Sequence, residues 1–173
     1  MILVEDDYID KEYLEEYSGY YSRCFNPYHR RCKRIHFFDI EIDEMEFEKK
    51  YFSFDQTYKD ILQKAYWGFS VLKPLPIAYF GKTCLKSQNA DIIKKTYKAN
   101  IFGRVLAVDS IAFQQNDRCV AACATCSLWT MFQKTSEIYH HPLHSPYRIT
   151  AIAKKYDKGS PINDTTMGFK ITQ

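Results

Sequence analysis

The sequence lacks any long apolar segment. No stretch of its 173 residues reaches the roughly 18 consecutive apolar residues of a membrane-spanning helix. The first seven residues have neither the basic start nor the apolar run of a signal peptide. We therefore expect a cytoplasmic protein with no membrane association. Its six cysteines are expected to be reduced thiols and not a disulfide framework.

Glycine and proline are also scarce, with six residues of each, which excludes a low-complexity chain. The formal net charge of +3 is too small to indicate a nucleic-acid-binding protein. One basic run, from Arg30 to Arg34, is interpreted as a solvated loop before a strand. With 46% hydrophobic and 26% charged residues, the composition indicates a soluble globular protein that is long enough to bury a core.

The hydrophobic pattern predicts both helices and strands, and therefore an α+β fold. Helical spacing runs from Asp7 to Tyr21 and from Asp55 to Lys64, where Asp55 is the expected N-cap. A hairpin or a bulge is predicted at Gly81, and a turn is predicted at Ala99-Asn100. Alternating or β-prone segments predict strands at 34–42, 66–72, 77–80, 82–85, 92–97 and 102–108.

The composition changes near residue 110. A polar run, Gln114 to Asp117, precedes an apolar helix that is predicted for Cys119 to Gln133. A second helix is predicted to start near Ser145 or Pro146 and to cover Ile149 to Tyr156, and the tail from 157 to 173 reads mostly as loop. We predict a mixed α+β N-terminal module over residues 1–110 and a separate helical segment over residues 111–173.

Three cysteines fall on the first of these two helices: Cys119, Cys123 and Cys126. A thiolate attacks carbonyl carbons far better than a thiol does, and the N-terminus of a helix favours the thiolate. Cys119 and Cys123 lie in the first turns of the predicted helix, and small residues surround Cys123. Glutamines of the preceding polar run could donate a hydrogen bond to a developing oxyanion. The pattern is therefore typical of a cysteine nucleophile.

These features resemble a known family. Gln-Gln-x-Asp at 114–117, Cys123-Ala124 and Leu128-Trp129 resemble the nucleophile region of bacterial papain-like proteins of the bacteriocin-processing-peptidase-like (C39-like) branch, and Ser145 to Ala153 fits its second helix. Upstream segments resemble the N-terminal region of large, uncharacterised bacterial proteins that carry such a domain: Tyr8 to Tyr13, Arg34 to Phe38 and Tyr66 to Leu75.

The resemblance implies that residues 111–173 form the helical first part of a papain-like domain. It implies a cysteine peptidase or acyltransferase that acts on a peptide or protein, without a cofactor or metal. Cys123 takes the nucleophile position and Gln115 the oxyanion-hole position, with Cys119 and Gln114 as the second choices. The spacing between glutamine and cysteine is longer here than is usual in the family.

The larger departure from the family concerns the general base. Papain-like enzymes take it from a histidine on a strand well downstream of the nucleophile. Here the histidines after Cys123 are His140, His141 and His144, in a short loop between the two predicted helices. The chain therefore looks C-terminally truncated, and the missing histidine is expected on further sequence or on a partner chain.

Other interpretations of the same residues stay open. Cys119, Cys123 and Cys126 spell C-x3-C-x2-C, a spacing that can hold an iron–sulfur cluster. Together with His140, His141 or His144 they could instead bind zinc. The cysteines could also be buried core thiols of a non-catalytic binding or assembly module. Cys24, Cys32 and Cys84 are interpreted as structural, and His36 as a hydrogen-bonded core or edge histidine.

Overall fold

The computed structural model of the chain describes residues 1–53, 55–88, 93–117 and 123–156. Helices and strands are both present, which confirms the predicted α+β class. The strands are β1 (Ile2–Tyr8), β2 (Cys32–Phe38), β3 (Tyr66–Leu72), β4 (Phe80–Leu85), β5 (Lys95–Ile101) and β6 (Arg104–Ser110). The helices are α1 (Lys11–Gly19), α2 (Glu44–Phe52), α3 (Gln56–Ala65), α4 (Cys123–Tyr139) and α5 (Pro146–Tyr156), with a 3-10 turn at Tyr21–Arg23.

The strands form two antiparallel sheets. One has four strands in the order β1-β2-β3-β4, and the other is the β5-β6 hairpin. Phe113 continues the first sheet beyond β4, because its N–H and carbonyl both bond to Thr83 at 3.0 and 2.8 Å. The hairpin packs on one face of the four-stranded sheet, which we call the inner face. The core lies between this face, the hairpin and the helices around buried Leu62, Ile101 and Leu106.

Predictions with strong local signals are confirmed. Strand β3 covers Tyr66–Leu72 as predicted. Helix α3 begins one residue after Asp55, whose side chain accepts a hydrogen bond from the backbone N–H of Thr57 at 2.9 Å. Helix α5 begins at Pro146, one of its two predicted starts. A capping side chain and an unbroken β-prone run are local features, so the sequence shows them directly.

The helix predicted from Asp7 to Tyr21 is wrong over its first residues. Strand β1 extends to Tyr8, and α1 begins only at Lys11, because the Asp10 side chain accepts a hydrogen bond from the N–H of Tyr13 at 2.8 Å. Cross-strand pairing with β2, and not local periodicity, makes β1 a strand. Helix α2, which Asp43 caps, was not predicted at all.

Of the two alternatives predicted at Gly81, the bulge is confirmed and the hairpin is wrong. Gly81 lies inside the single strand β4, and the β3–β4 register shifts opposite it, between Ser70 and Leu72. The turn predicted at Ala99-Asn100 is wrong. The hairpin turn falls at Phe102-Gly103, three residues after the predicted position, where Asn100 Oδ1 accepts a hydrogen bond from Gly103 N–H at 2.9 Å. Helix α4 also extends six residues past the predicted end at Gln133, to Tyr139. The predicted loop at 157–173 lies outside the described residues.

The helical segment contacts the N-terminal elements at several points. Trp129 of α4 is fully buried in the core, and the Tyr97 hydroxyl of β5 lies 3.3 Å from Gln133 Oε1. The Ser145 hydroxyl donates a hydrogen bond to Glu15 of α1 at 2.6 Å. These contacts fix α4 and α5 against α1 and the hairpin. In the described part of the chain, no helix is long and apolar enough to cross a membrane.

Candidate functional site

Cys123 is the first described residue of α4, and its side chain is exposed. Its Sγ accepts a hydrogen bond from the side-chain amide of Asn116, with Nδ2 2.9 Å from the sulfur. Asn116 belongs to the polar run that precedes the helix, so this run folds back toward the start of α4. A donated N–H stabilises negative charge on the atom that it contacts. The structure thus places an accessible sulfur beside a hydrogen-bond donor.

The two glutamines that were predicted for the oxyanion position are differently placed. The Gln115 amide bonds to the loop before β4: its Oε1 accepts from Phe80 N–H at 3.2 Å and its Nε2 lies 3.4 Å from the Ile77 carbonyl. Gln114 is buried, and its Nε2 has no hydrogen-bond partner among the described residues. The amide that contacts Cys123 is therefore that of Asn116. The sequence analysis missed it because the family pattern pointed to the glutamines.

The other two helix cysteines have different surroundings. Cys126 lies one turn after Cys123 and is partly buried, and burial raises the pKa of its thiol to about 12. It is therefore a protonated thiol at neutral pH. Cys119 lies outside the described residues. Of the cysteines of α4, Cys123 is the exposed one.

Two of the histidines that follow Cys123, His140 and His141, lie beyond the other end of α4. This helix has 17 residues and is therefore roughly 25 Å long. His141 bonds to the Thr135 hydroxyl near the C-terminal end, with Nε2 3.0 Å from Oγ1. His140 and His141 are thus separated from Cys123 by about the length of the helix. His144 is placed differently, because it precedes Ser145, which bonds to Glu15, and α5 lies beside the first turn of α4, where Thr150 Oγ1 is 3.1 Å from Thr125 Oγ1. Among the described residues, no hydrogen bond joins any of the three histidines to the Cys123 sulfur.

His36 is buried and has a structural environment. Its Nδ1 lies 2.9 Å from the Tyr66 hydroxyl and its Nε2 lies 2.9 Å from Glu5 Oε2. Burial lowers the pKa of His36. Arg34 also bonds to Glu5 and donates to the Asn100 carbonyl at 2.8 Å. The group ties β1 and β2 to the hairpin turn, so the interpretation of His36 as a hydrogen-bonded core histidine is confirmed.

A buried ion pair lies between α1 and the end of β3. Lys73 Nζ is 2.6 Å from Glu16 Oε2, and the two side chains are only 3% and 0% exposed. Lys82 pairs with Glu12 beside them at 3.2 Å. Asp10 and Asp117 complete a group that we call the acidic cluster; it consists of Asp10, Glu12, Glu16, Asp117, Lys73 and Lys82.

The acidic cluster reaches the start of α4. The Tyr21 hydroxyl bonds to Asp117 Oδ2 at 2.6 Å, and Asp117 follows the residue that contacts Cys123. The thiol of Cys126 interacts electrostatically with Lys73, Asp117 and Glu16. The start of α4 therefore lies beside this buried group of charges.

The acidic cluster holds four carboxyl groups against two ammonium groups. Burial raises the pKa of Glu16 to about 7, and Lys73 offsets only part of this effect. Burial alone would lower the pKa of Lys73, but attraction to Glu16 outweighs it and raises that pKa. Oε1 of Glu16 has no hydrogen-bond partner among the described residues. Glu16 can therefore take up or release a proton near neutral pH, while Lys73 stays charged.

Replacing Glu16 with glutamine is expected to change how stability depends on pH. The pKa of Glu16 is higher in the folded than in the unfolded state. Protonation of Glu16 therefore stabilises the fold fully below pH 4.5, and this stabilisation is lost as the pH rises toward 7. The stability of Glu16→Gln relative to the wild type should therefore increase between pH 5 and pH 8, by on the order of 2 kcal/mol. Urea denaturation at a series of pH values measures this difference.

Glu15→Gln is the matched control, because it removes a carboxylate of the same helix whose partners are Ser145 and Arg148 and not members of the acidic cluster. A constant difference between Glu16→Gln and the wild type from pH 5 to pH 8 would contradict the proposed titration of Glu16.

Within the described ranges, no three His, Cys, Asp or Glu side chains are placed to hold a metal ion. The zinc and iron–sulfur alternatives both need Cys119, which lies outside these ranges. Comparison of the chain with protein-family models, with curated proteins and with solved structures gave no match.

Proposed function

We propose that the protein is a papain-like thiol enzyme, a cysteine peptidase or acyltransferase, in which Cys123 is the nucleophile. The observation that carries the proposal is the exposed Cys123 sulfur, 2.9 Å from the Asn116 amide. The substrate class is a peptide or protein carbonyl. The sulfur would attack the carbonyl carbon and form a thioester, and the leaving group would depart with a proton from the general base.

Asn116 is the proposed oxyanion donor, in place of Gln115. When the sulfur attacks, the carbonyl oxygen that gains negative charge lies within about 3 Å of the sulfur, so a donor beside the sulfur can reach it. The Asn116 amide has this position, whereas the Gln115 amide bonds to Ile77 and Phe80. The role predicted from the family pattern is thus proposed for a neighbouring residue of the same polar run.

The proposal also requires a base, and among the described residues no histidine is hydrogen-bonded to the Cys123 sulfur. His29 and His144 are the described histidines to test. His29 follows Tyr28, whose ring packs edge-on against Tyr21 at 5.3 Å, and His144 precedes Ser145, which bonds to Glu15 of α1. Tyr21 in turn bonds to Asp117, at the polar run. Further sequence or a partner chain is the alternative source. His29→Ala and His144→Ala separate these sources, because each variant abolishes acyl transfer only if the replaced histidine is the base.

Alkylation of the folded protein tests the nucleophile. At pH 7, iodoacetamide is expected to label Cys123 at least tenfold faster in the folded than in the urea-unfolded protein, since activation by the fold can increase thiol reactivity by about that factor or more. Mass spectrometry of the peptides assigns the label. Asn116→Ala should slow the labelling of Cys123. Cys126 is the control in the same helix and should react more slowly folded than unfolded. Equal rates for Cys123 in the two states would contradict the proposal.

A non-catalytic binding or assembly module is the second candidate function. The observation that favours it is an exposed apolar surface on the four-stranded sheet, opposite the inner face. An activated ester such as p-nitrophenyl acetate distinguishes the two functions. A thiol enzyme gives a burst of p-nitrophenol and an acetylated Cys123, both of which Cys123→Ser removes. A binding module gives neither.

A further inference from the structure

The four-stranded sheet has a second face, which we call the outer face, and it is apolar. Successive residues of a strand point to opposite faces, and the cross-strand register shows which residues share one. The exposed face of an antiparallel sheet is ordinarily polar. Here most of the paired positions are apolar or small, and the exceptions are Lys33 opposite Leu72 and Ser70 opposite Thr83. The apolar or small pairs are Ile2 with Phe37, Val4 with Ile35, Ile35 with Ser70, Phe37 with Gly68, Gly68 with Leu85 and Leu72 with Phe80.

Several of these side chains are exposed to an unusual degree. Ile2 is 64% exposed and Val4 47%, and at the opposite edge Phe80 and Phe113 are 42% and 50% exposed. Trp67 lies beside Phe37 and Ile2, around a shallow depression of the surface. The central residues Ile35, Phe37, Leu72 and Leu85 are partly buried by their neighbours in the sheet, but they do not belong to the core or pack against it.

The polar groups on the outer face are already paired with one another. Ser70 and Thr83, near its centre, share a hydrogen bond of 2.7 Å. Lys33 and Asp6 form an ion pair of 2.7 Å at one corner. Asp39 lines the depression beside Trp67, but the other charged groups of the described outer face are paired, which argues against a nucleic acid or a highly charged peptide as its partner. The face suits a surface that is equally neutral and apolar.

We propose that the outer face is an interface between two copies of this chain, packed sheet against sheet. A neutral apolar face is complementary to itself, and two-fold dimers bury the same patch on both subunits. Sheets stack face to face about 10 Å apart with their strands nearly aligned. This inference does not depend on the chemistry of Cys123.

The area of the outer face agrees with this interface. The side chains named above leave on the order of 700 Å² of apolar surface, since a large side chain presents about 200 Å² when fully exposed. A stable interface takes about 800 Å² from each partner, including a polar rim. An exposed apolar patch of this size is large for a protein that remains a monomer.

The mass in solution tests the proposal. At about 10 µM, sedimentation equilibrium should give twice the 20.5 kDa of the chain. Phe37→Lys at the centre of the face and Trp67→Lys beside it should each yield the monomer mass, because a lysine opposite its own copy is buried without a partner. Met131→Lys is the matched control, since Met131 is 62% exposed but lies on α4. This variant should remain a dimer.

Circular dichroism shows whether each variant is folded. Tryptophan fluorescence of the wild type gives a second measurement that needs no substitution. The chain has two tryptophans, of which Trp129 is buried and Trp67 is partly exposed. Acrylamide quenching of Trp67 should therefore increase on dilution, as the dimer dissociates. A monomer mass at 200 µM, or a dimer mass in both folded lysine variants, would overturn the proposal. So would quenching that does not change with concentration.

Discussion

The Lys73→Met variant is expected to lose about 3–5 kcal/mol of the free energy of unfolding at pH 8. Lys73 and Glu16 are both almost completely buried and lie 2.6 Å apart. Methionine fills a similar volume but supplies no charge, so Glu16 would remain buried as an uncompensated anion. Removal of one partner of a buried pair costs far more than the net contribution of the pair itself.

The loss should be smaller at pH 5. Burial already raises the pKa of Glu16 to about 7, and without Lys73 this pKa rises further. At pH 5, below this pKa, Glu16 is protonated and neutral, so the variant is destabilised much less by a buried charge. Urea denaturation of Lys73→Met at pH 5 and pH 8 measures both values. An equal loss at the two pH values would contradict this account.

Two further variants separate charge from packing. Lys73→Met combined with Glu16→Leu replaces both charges by apolar groups and should return stability to within about 1 kcal/mol of the wild type, or above it. Lys82→Met is the control for the loss of one lysine, because Lys82 and Glu12 are 22% and 16% exposed and farther apart, at 3.2 Å. Its cost should be clearly smaller than that of Lys73→Met.

A buried ion pair contributes little net stability to a fold, so its position can indicate a role other than stability. This one joins α1 to the end of β3, and Asp117 connects the same cluster to the residues before α4. The cluster thus holds charge beside the helix that carries Cys123. Perturbed carboxyl groups concentrate at functional sites, which supports the location of the candidate site without identifying its reaction.

The parts of the fold that could be predicted from the sequence are those that local features specify. Asp55 caps α3 and the β-prone run of β3 has no interruption, so both were predicted within one residue. Strand β1 is different, because its partner in β2 lies about 30 residues away. The helical spacing of the tyrosines that follow β1 therefore extended the predicted helix too far toward the N-terminus.

The same distinction applies to the candidate site. Cys123 could be found because its helix and its small neighbours are local features. The Lys73–Glu16 pair could not, since 57 residues separate its members and neither belongs to a motif. Asn116 lies seven residues before Cys123 and outside the predicted helix, so no local pattern pairs their side chains, and the fold-back of the polar run brings the two together.

Gly68 gives the second large effect. Its φ of +122° is a conformation that side chains rarely tolerate, and a Cβ added there would lie 2.0 Å from the backbone carbonyl oxygen of Cys84 in β4. Gly68→Ala must therefore both adopt a strained backbone and push β4 away from β3. Strain of this kind costs about 1–3 kcal/mol, and the lost pairing adds to it, so we expect a loss of at least about 3 kcal/mol.

Gly103→Ala is the matched control, because Gly103 also has a positive φ of +89° but no atom lies within 4 Å of an added Cβ. Only backbone strain remains there, and the expected loss is about 1 kcal/mol. Chemical denaturation of both variants measures the difference, and equal losses would show that the contact with Cys84 is unimportant. Gly68 also lies on the outer face between Phe37 and Leu85, at an irregularity in the β2–β3 pairing. The close approach of β4 that Gly68 permits is therefore a condition for the apolar surface that we propose as the dimer interface.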